Sequence, residues 1–274
     1  MPRHTAAPTI RTMKLLVGAL LFGVAALGQT PAVSAGGVLN GASFDRVMPV
    51  SPGSLISIFG SNLAATTATA DSIPLSTVLG GVNVKINGVD APLTGVFHTA
   101  NGDQINAQLP VNVQTGAAQV IVTRDGVASA PQSFQVGQVS PGIFSVQFGV
   151  GQAIAINLDG SLAAPAGSIP GLATHPAKAG DTIIILATGL GPVTPDINSG
   201  ANSVDTLRTT VITPTVLVGG ISASVAFSGL SPQFVGVNQV NVVVPAGAPK
   251  GDKVSLQISM GGLTSTDQVT IAVS

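Results

Sequence analysis

Two histidines outside the N-terminal segment could exchange protons near neutral pH, and each has a carboxylate within reach along the chain. His98 stands five residues before Asp103 in "FHTANGDQ". An imidazole beside a carboxylate is the usual way to orient a ring nitrogen for acid–base work or metal binding. A metal site needs three or four ligands, and no second His or acid stands at a suitable spacing, so the same residues read equally well as a polar loop tip. His175, in "THPAKAG", precedes Pro176 in a loop ahead of a strand and reads the same way. Nucleophile signatures fail on spacing, since there is no Cys and no Gly-x-Ser-x-Gly. "GVGQAI" and "GLGPVT" begin like dinucleotide loops but lack the third Gly and a following helix, so they read as turns. Asp159, Asp196, Asp205 and Asp252 fall in expected loops without an Asp-x-Asp cluster, and each reads as a surface carboxylate rather than a calcium ligand. The expectation is no catalytic set, no metal and no cofactor. A secreted hydrolase would require His98 or His175 within hydrogen-bond reach of an Asp and a Ser in one pocket.

The elements that must carry these residues are strands. The acids are all Asp, Trp and Tyr are absent, and the chain is rich in Val, Ile, Thr, Gly and Pro, which reads as all-β. In "VNVKINGVDAPL" the apolar Val82, Val84 and Ile86 alternate with Asn83 and Lys85, and Asn87-Gly88 then supplies a tight hairpin turn.

The second half repeats the first in order. "AGDTIIILATGLGPV" matches "PGSLISIFGSNLAAT", placing Gly180 at Gly53, Ala187 at Gly60 and Gly189 at Asn62; Gly and Asn both tolerate a left-handed backbone. Gly219-Gly220 replaces Asn87-Gly88, and Gln239 and Asn241 answer Gln104 and Asn106. Ser265 falls at Ser129. The chain is a tandem duplication. About seven short strands per repeat, over roughly a hundred residues, predict two immunoglobulin-like β-sandwiches; a single larger barrel is the alternative. The expected units are 36–137 and 138–274, the second with an added N-terminal β-hairpin at about 149–162 around Asp159-Gly160. "GQVSPG", Gly137 to Gly142, joins them as a short, stiff link.

Residues 1–35 read as a signal peptide. Arg3, Arg11 and Lys14 precede the apolar run Leu15 to Leu27, and Val33 and Ala35 offer a small-residue cleavage site before Gly36. The run is shorter than the roughly 20 residues needed to span a bilayer, so cleavage is expected; an uncleaved anchor is the alternative, and Met13 is an alternative start. Setting those three cations aside leaves seven Lys and Arg against eleven acids, a net charge of −4, with no basic patch to attract nucleic acid. A membrane is expected as a partner only through the signal peptide before cleavage.

The ordered strings "NGASF", "VSPGSLISIFGSNLA", "LGGVNVKINGVDAPL", "QINAQLP", "SPGIF", "GQAIAINLDGSLAAPA", "ATGLGPVTP" and "GLSPQFVGVNQVNVVVPAGAPKGD" resemble the Solibacter-type uncharacterised C-terminal domain family, over about Leu39 to Val273. "PGSLISIFGSNLA" and "AGDTIIILATGLG" are similar to the opening of IPT/TIG domains. The resemblance implies an exported bacterial protein of paired immunoglobulin-like units with no assigned activity, and it brings no catalytic residues.

Features present in both copies are best explained by the shared fold, which turns attention to segments found in one copy only. These are the hairpin Gly149 to Leu162, the long loop Val193 to Thr213, and "SPQFVG", Ser231 to Gly236, carrying Phe234. Phe234 is either a core plug or, if exposed, the first candidate for a contact surface. The expected function is non-enzymatic, in adhesion, surface structure or protein–protein contact, with a protein or glycan at the cell surface as partner. A carbohydrate-binding module is the alternative. With Trp and Tyr absent, sugar stacking would have to rest on Phe.

Overall fold

The computed structural model describes Met1 and residues 29–274. The apolar run of the expected signal peptide, Leu15 to Leu27, lies outside the described residues; the strand Ala32–Asn40 begins four residues before Gly36, within the expected 1–35. All regular structure among the described residues is β, and the tandem sandwich expected from the repeat is what forms.

In the first repeat one sheet is ordered Ala32–Asn40, Leu55–Ser61, Gly102–Gln108, Leu93–Thr99, Ala68–Thr69. The facing sheet is built on Gly116–Arg124, flanked by Val82–Ile86 and Gln132–Val136. Period-two alternation decides which side chains meet between them: Ile56, Ile58, Ile105, Ala107, Val82, Val84, Val120 and Val122 are fully buried. Burying each Val or Ile contributes about 1.5–3 kcal/mol.

The second repeat uses the same pairings. Thr182–Thr188 pairs Asn238–Val243, which pairs Ile221–Leu230, and Gly251–Met260 pairs both Thr215–Val218 and Val269–Val273. Here the two layers run into one continuous sheet. The first residues of Ile221–Leu230 pair Thr215–Val218, and the strand crosses to Asn238–Val243 through a bulge between Val225 and Phe227.

Paired positions in the two repeats behave alike. Asn62 (φ 57°) and Gly189 (φ 85°) are both left-handed, as are Asn87-Gly88 and Gly219-Gly220. The Ser129 and Ser265 hydroxyls each accept a buried backbone N–H, from Val122 at 3.1 Å and Ile258 at 3.0 Å. Gln104 Nε2 donates to Asn106 Oδ1 at 2.7 Å, and Gln239 Nε2 to Asn241 Oδ1 at 2.9 Å, both on the half-buried face opposite the core. The Gln-x-Asn motif is a device of the fold used once per sandwich.

The added hairpin forms, with Asp159-Gly160 at its turn and Ile156 opposite Leu162. Its first strand has a counterpart after all. Ala155, Ile156 and Asn157 face Ile185, Ile184 and Ile183 in the register by which Val38, Leu39 and Asn40 face Ile58, Ser57 and Ile56. Upstream, Ile143 opposite Ala187 matches Val33 opposite Gly60. Val33 and Val38 are five positions apart whereas Ile143 and Ala155 are twelve apart, so the second copy's first strand carries an insertion that the first lacks.

Candidate functional site

Shared positions, the linker and parts of the unshared segments come together where the two repeats meet. Asn40 Nδ2 donates to the Ser140 carbonyl at 2.7 Å, and the Ser140 hydroxyl donates to Pro49 O. The buried Thr188 hydroxyl accepts Leu55 N–H at 2.9 Å and donates to Gly236 O at 2.6 Å. The loop Val193 to Thr213 folds back onto the first repeat: Gly200 N–H donates to Gln108 Oε1 at 2.7 Å and Leu75 N–H to Gly200 O at 2.9 Å. Arg208, itself buried, braces this loop with two hydrogen bonds to Asp205, at 2.6 and 3.0 Å, and one to Asp196 O. The guanidinium holds the Asp205 carboxyl below the usual carboxylate range.

Two hollows result. One of about 500 Å3 lies between Pro52–Ser54, Gln108 and Val111 on one side and Gly189–Val193, Ile197 and Asn238 on the other. It carries the Asp196 carboxylate but no cation. The other, about 560 Å3, sets Phe234 and Val235 against Ile73 and Leu75. Phe234 is 53% exposed, so the structure excludes the core-plug alternative. The "SPQFVG" segment leaves the sheet before Asn238–Val243 begins, which carries the ring out over this groove.

The histidines are not bare loop tips. His98 closes the hairpin between Leu93–Thr99 and Gly102–Gln108, with Nδ1 at 2.8 Å from Asp103 Oδ1. The Asp103 side chain is buried; burial pushes its pKa up, but hydrogen bonds from Ala64 N–H and the His98 ring outweigh this and leave it lowered. His175 stands between the Pro176 carbonyl, 2.9 Å from Nδ1, and Asp159 Oδ2, 2.9 Å from Nε2. Both oxygens can only accept, so both bonds require a proton on each nitrogen. The Pro176 carbonyl and Asp159 accordingly raise the His175 pKa. Asp159 in turn lies well below its ordinary value, held by the Ser161 hydroxyl and N–H and by His175.

Ser161 Oγ donates to Asp159 Oδ1 at 2.7 Å, so the carboxylate sits between hydroxyl and imidazole. The ring is not placed to take the Ser161 proton, as a hydrolase triad would need. Among the described residues, no three His, Cys, Asp or Glu side chains gather where they could hold a metal ion. Asp252, expected in a loop, opens the strand Gly251–Met260.

The His175 bridge has a pH signature. A raised folded pKa contributes stability in full below the unfolded value of about 6.5 and loses it as pH rises through the folded pKa. NMR titration of the His175 ring should give a midpoint above that of a free His, and D159N should lower it. An unchanged midpoint in D159N would show that the bridge does not form in solution.

One further aromatic belongs to the site, and sequence reasoning missed it. Phe148 lies in the insertion and is 77% exposed. Its ring meets Phe44 of the first repeat edge to face, with centroids 5.8 Å apart and planes at 89°; Phe44 in turn leans on Phe59 at 6.3 Å. The signal was present in "QFGVGQ", where Phe stands directly before a turn Gly.

Residues 43–136 match the IPT/TIG domain family. No curated relative matches the chain. Among solved structures, the chain is similar to SGBP-B of a Bacteroides ovatus mixed-linkage glucan utilization locus, in complex with a mixed-linkage heptasaccharide, at 16% identity and a TM-score of 0.34, covering 82% of this chain and 42% of that one. SGBP-B from a xyloglucan utilization locus of Bacteroides uniformis gives 14% identity and a TM-score of 0.26, covering 88% and 48%. The S-layer protein SbsC, domains 5–6, gives 12% and 0.25, covering 89% and 98%. The chain thus spans less than half the length of the two SGBP-B proteins, and superpositions this loose carry no argument about what it binds.

Proposed function

We propose that the chain is an exported, non-catalytic surface protein of two immunoglobulin-like units, 36–137 and 138–274, that contacts a partner in adhesion or envelope structure. One observation carries the reading: of the sixteen exposed large apolar side chains in residues 29–274, nine lie on the segments one copy lacks, both exposed Phe among them. Phe148 and Leu158, Val204 and Leu207, and Phe234 lie on the insertion, the hairpin, the long loop and "SPQFVG". Fold maintenance does not require them there, because the first repeat folds without them. The signal-peptide pattern of residues 1–35, the absence of cysteine and the ordered motifs resembling the Solibacter-type exported family support the same reading. The Asp-centred order of Ser161, Asp159 and His175 speaks against acyl transfer.

The test has two parts. A C-terminally tagged chain expressed in its native host should appear in the periplasm, envelope or medium; retention in the cytoplasm would sink the export reading. Phe234→Ser should change stability by no more than about 0.5 kcal/mol, because the side chain is an exposed surface group, and should weaken capture of the purified mature chain by native envelopes. Undiminished capture would remove the Phe234 groove from the contact surface.

A further inference from the structure

Six turns in the structure combine two successive left-handed residues. Asn87-Gly88, Asp125-Gly126, Gly80-Gly81, Gly219-Gly220 and Gly261-Gly262 use the residues that tolerate this backbone. Phe148-Gly149, at φ 53° and 90°, does not follow that rule. A bulky side chain at positive φ is an outlier, and the described residues contain a second one, Phe44 at φ 54°. The remaining left-handed non-glycine residues among those described are Asn62, Asn87 and Asp125. The two outliers are therefore both Phe, come from different repeats, and meet edge to face. Strain of this kind persists only where surrounding structure enforces it, and it collects at ligand sites.

The enforcement is visible. Gly149 N–H donates to Ser145 Oγ at 2.8 Å and Val146 N–H to Gln152 O at 2.9 Å, while Gly151–Gln152 pairs in parallel with Val269–Thr270. Gly149 also packs so closely on the Ser43 carbonyl that a Cβ there would collide with it. A hydrogen-bonded turn thus fixes the backbone beneath the Phe148 ring, which contacts Phe44 and stays 77% exposed. Exposed Val146 and Val150 flank it in sequence, and two exposed polar residues adjoin the two rings along the chain: Arg46 near Phe44, and Gln147, whose amide lies over Gly151.

We propose that Phe148, backed by Phe44, is a stacking platform for a sugar ring of a neutral glycan. An aromatic face takes the C–H face of a pyranose, and planar amide and guanidinium donors suit its hydroxyls. One exposed ring with two Val and two polar residues beside it in sequence is far fewer than the roughly 20–30 residues a side of a stable protein interface, and is enough for a single glycan strand. A bilayer is disfavoured by a chain with so few cations. The inference deepens the surface-contact reading and rests on it, naming the class of partner.

The decisive experiment is native gel electrophoresis of the purified mature chain through gels containing mixed-linkage β-glucan, xyloglucan, xylan or galactomannan. At least one of these should retard the wild type. Phe148→Asn places a residue suited to the turn and removes the ring. It should migrate as in a polysaccharide-free gel while melting at or above the wild-type temperature. Phe148→Leu, which keeps an apolar side chain without a ring, should weaken retardation about tenfold. Absence of retardation in all four gels would overturn the proposal, as would equal retardation of Phe148→Asn or a lower melting temperature in that variant, which would make Phe148 structural. Binding to native cells that is lost on protease treatment and survives periodate oxidation would assign the platform to a protein instead. Because the gels use purified protein, their failure is separable from a failed export test.

Discussion

Gly189→Ala should lower the stability of the mature chain by about 3 kcal/mol. The position combines two costs. Its φ of 85° is left-handed, which costs a Cβ-bearing residue about 1–2 kcal/mol, and the added Cβ would sit on the Ser140 carbonyl oxygen. That oxygen cannot withdraw freely, because Ser140 N–H donates to Gly189 O at 2.8 Å and Asn40 Nδ2 donates to the oxygen itself. Displacing packed backbone adds about 1–3 kcal/mol. The midpoint of guanidinium unfolding should fall accordingly. Because the residue joins the second repeat to the linker, any separation of the transition into two steps is itself informative. A shift below about 0.5 kcal/mol would show that the Gly137–Gly142 link yields easily and that the Ser140 carbonyl is not held in place.

Asn40→Ala is the second large effect, again of about 3 kcal/mol. Asn40 is almost wholly buried at the end of the first strand. Its Oδ1 accepts Ala42 N–H at 2.9 Å and Ser43 N–H at 3.1 Å, while Nδ2 reaches across to Ser140 O at 2.7 Å. Truncation leaves those groups without their partner, and each buried unpaired group costs about 1–3 kcal/mol. Ser43 is also the residue whose carbonyl meets Gly149 beneath Phe148, so loosening it should disturb the stacking platform. Both substitutions act through Ser140, so the double variant should lose less than the sum of the two. Strict additivity in a double-mutant cycle would show that they act independently.

The counterpart of Asn40 in the second repeat shows how one position diverged. Asn157 holds the same register on its sheet, but its Nδ2 donates to Ser161 Oγ at 3.0 Å and to His175 O at 3.2 Å. In the first copy this amide ties two repeats together; in the second it ties a hairpin to the strand that carries His175. Both Asn residues stand in the sequence, yet nothing in the spelling of either segment distinguishes the two uses.

Much of the architecture was legible in the residues themselves. Period-two alternation and paired turn residues are local properties, so "QINAQLP" and "QVNVVVP" reveal their buried faces directly: Ile105 and Ala107, Val240 and Val242 are wholly buried. Duplication then doubled each signal, so Gly189 at Asn62 was recognisable as a left-handed position and Ser265 at Ser129 as a repeated one, whose hydroxyl bonds to Ile258 and Val122 N–H emerge only in the fold. The candidate site was legible only in part. The unrepeated segments and Phe234 could be picked out by comparing the copies, but whether Phe234 was core or surface could not, since an aromatic between two strands fits either.

What the sequence by itself determined is the all-β tandem sandwich and the division between shared and unshared segments, because these depend on neighbours two residues apart and on repetition. Only the tertiary structure decided which distant residues meet. Asn40 with Ser140, Asp159 with His175, and Phe44 with Phe148 are contacts whose partners are far apart in sequence. They follow from the path of the chain over the finished sheets, and side-chain alternation carries no information about that path.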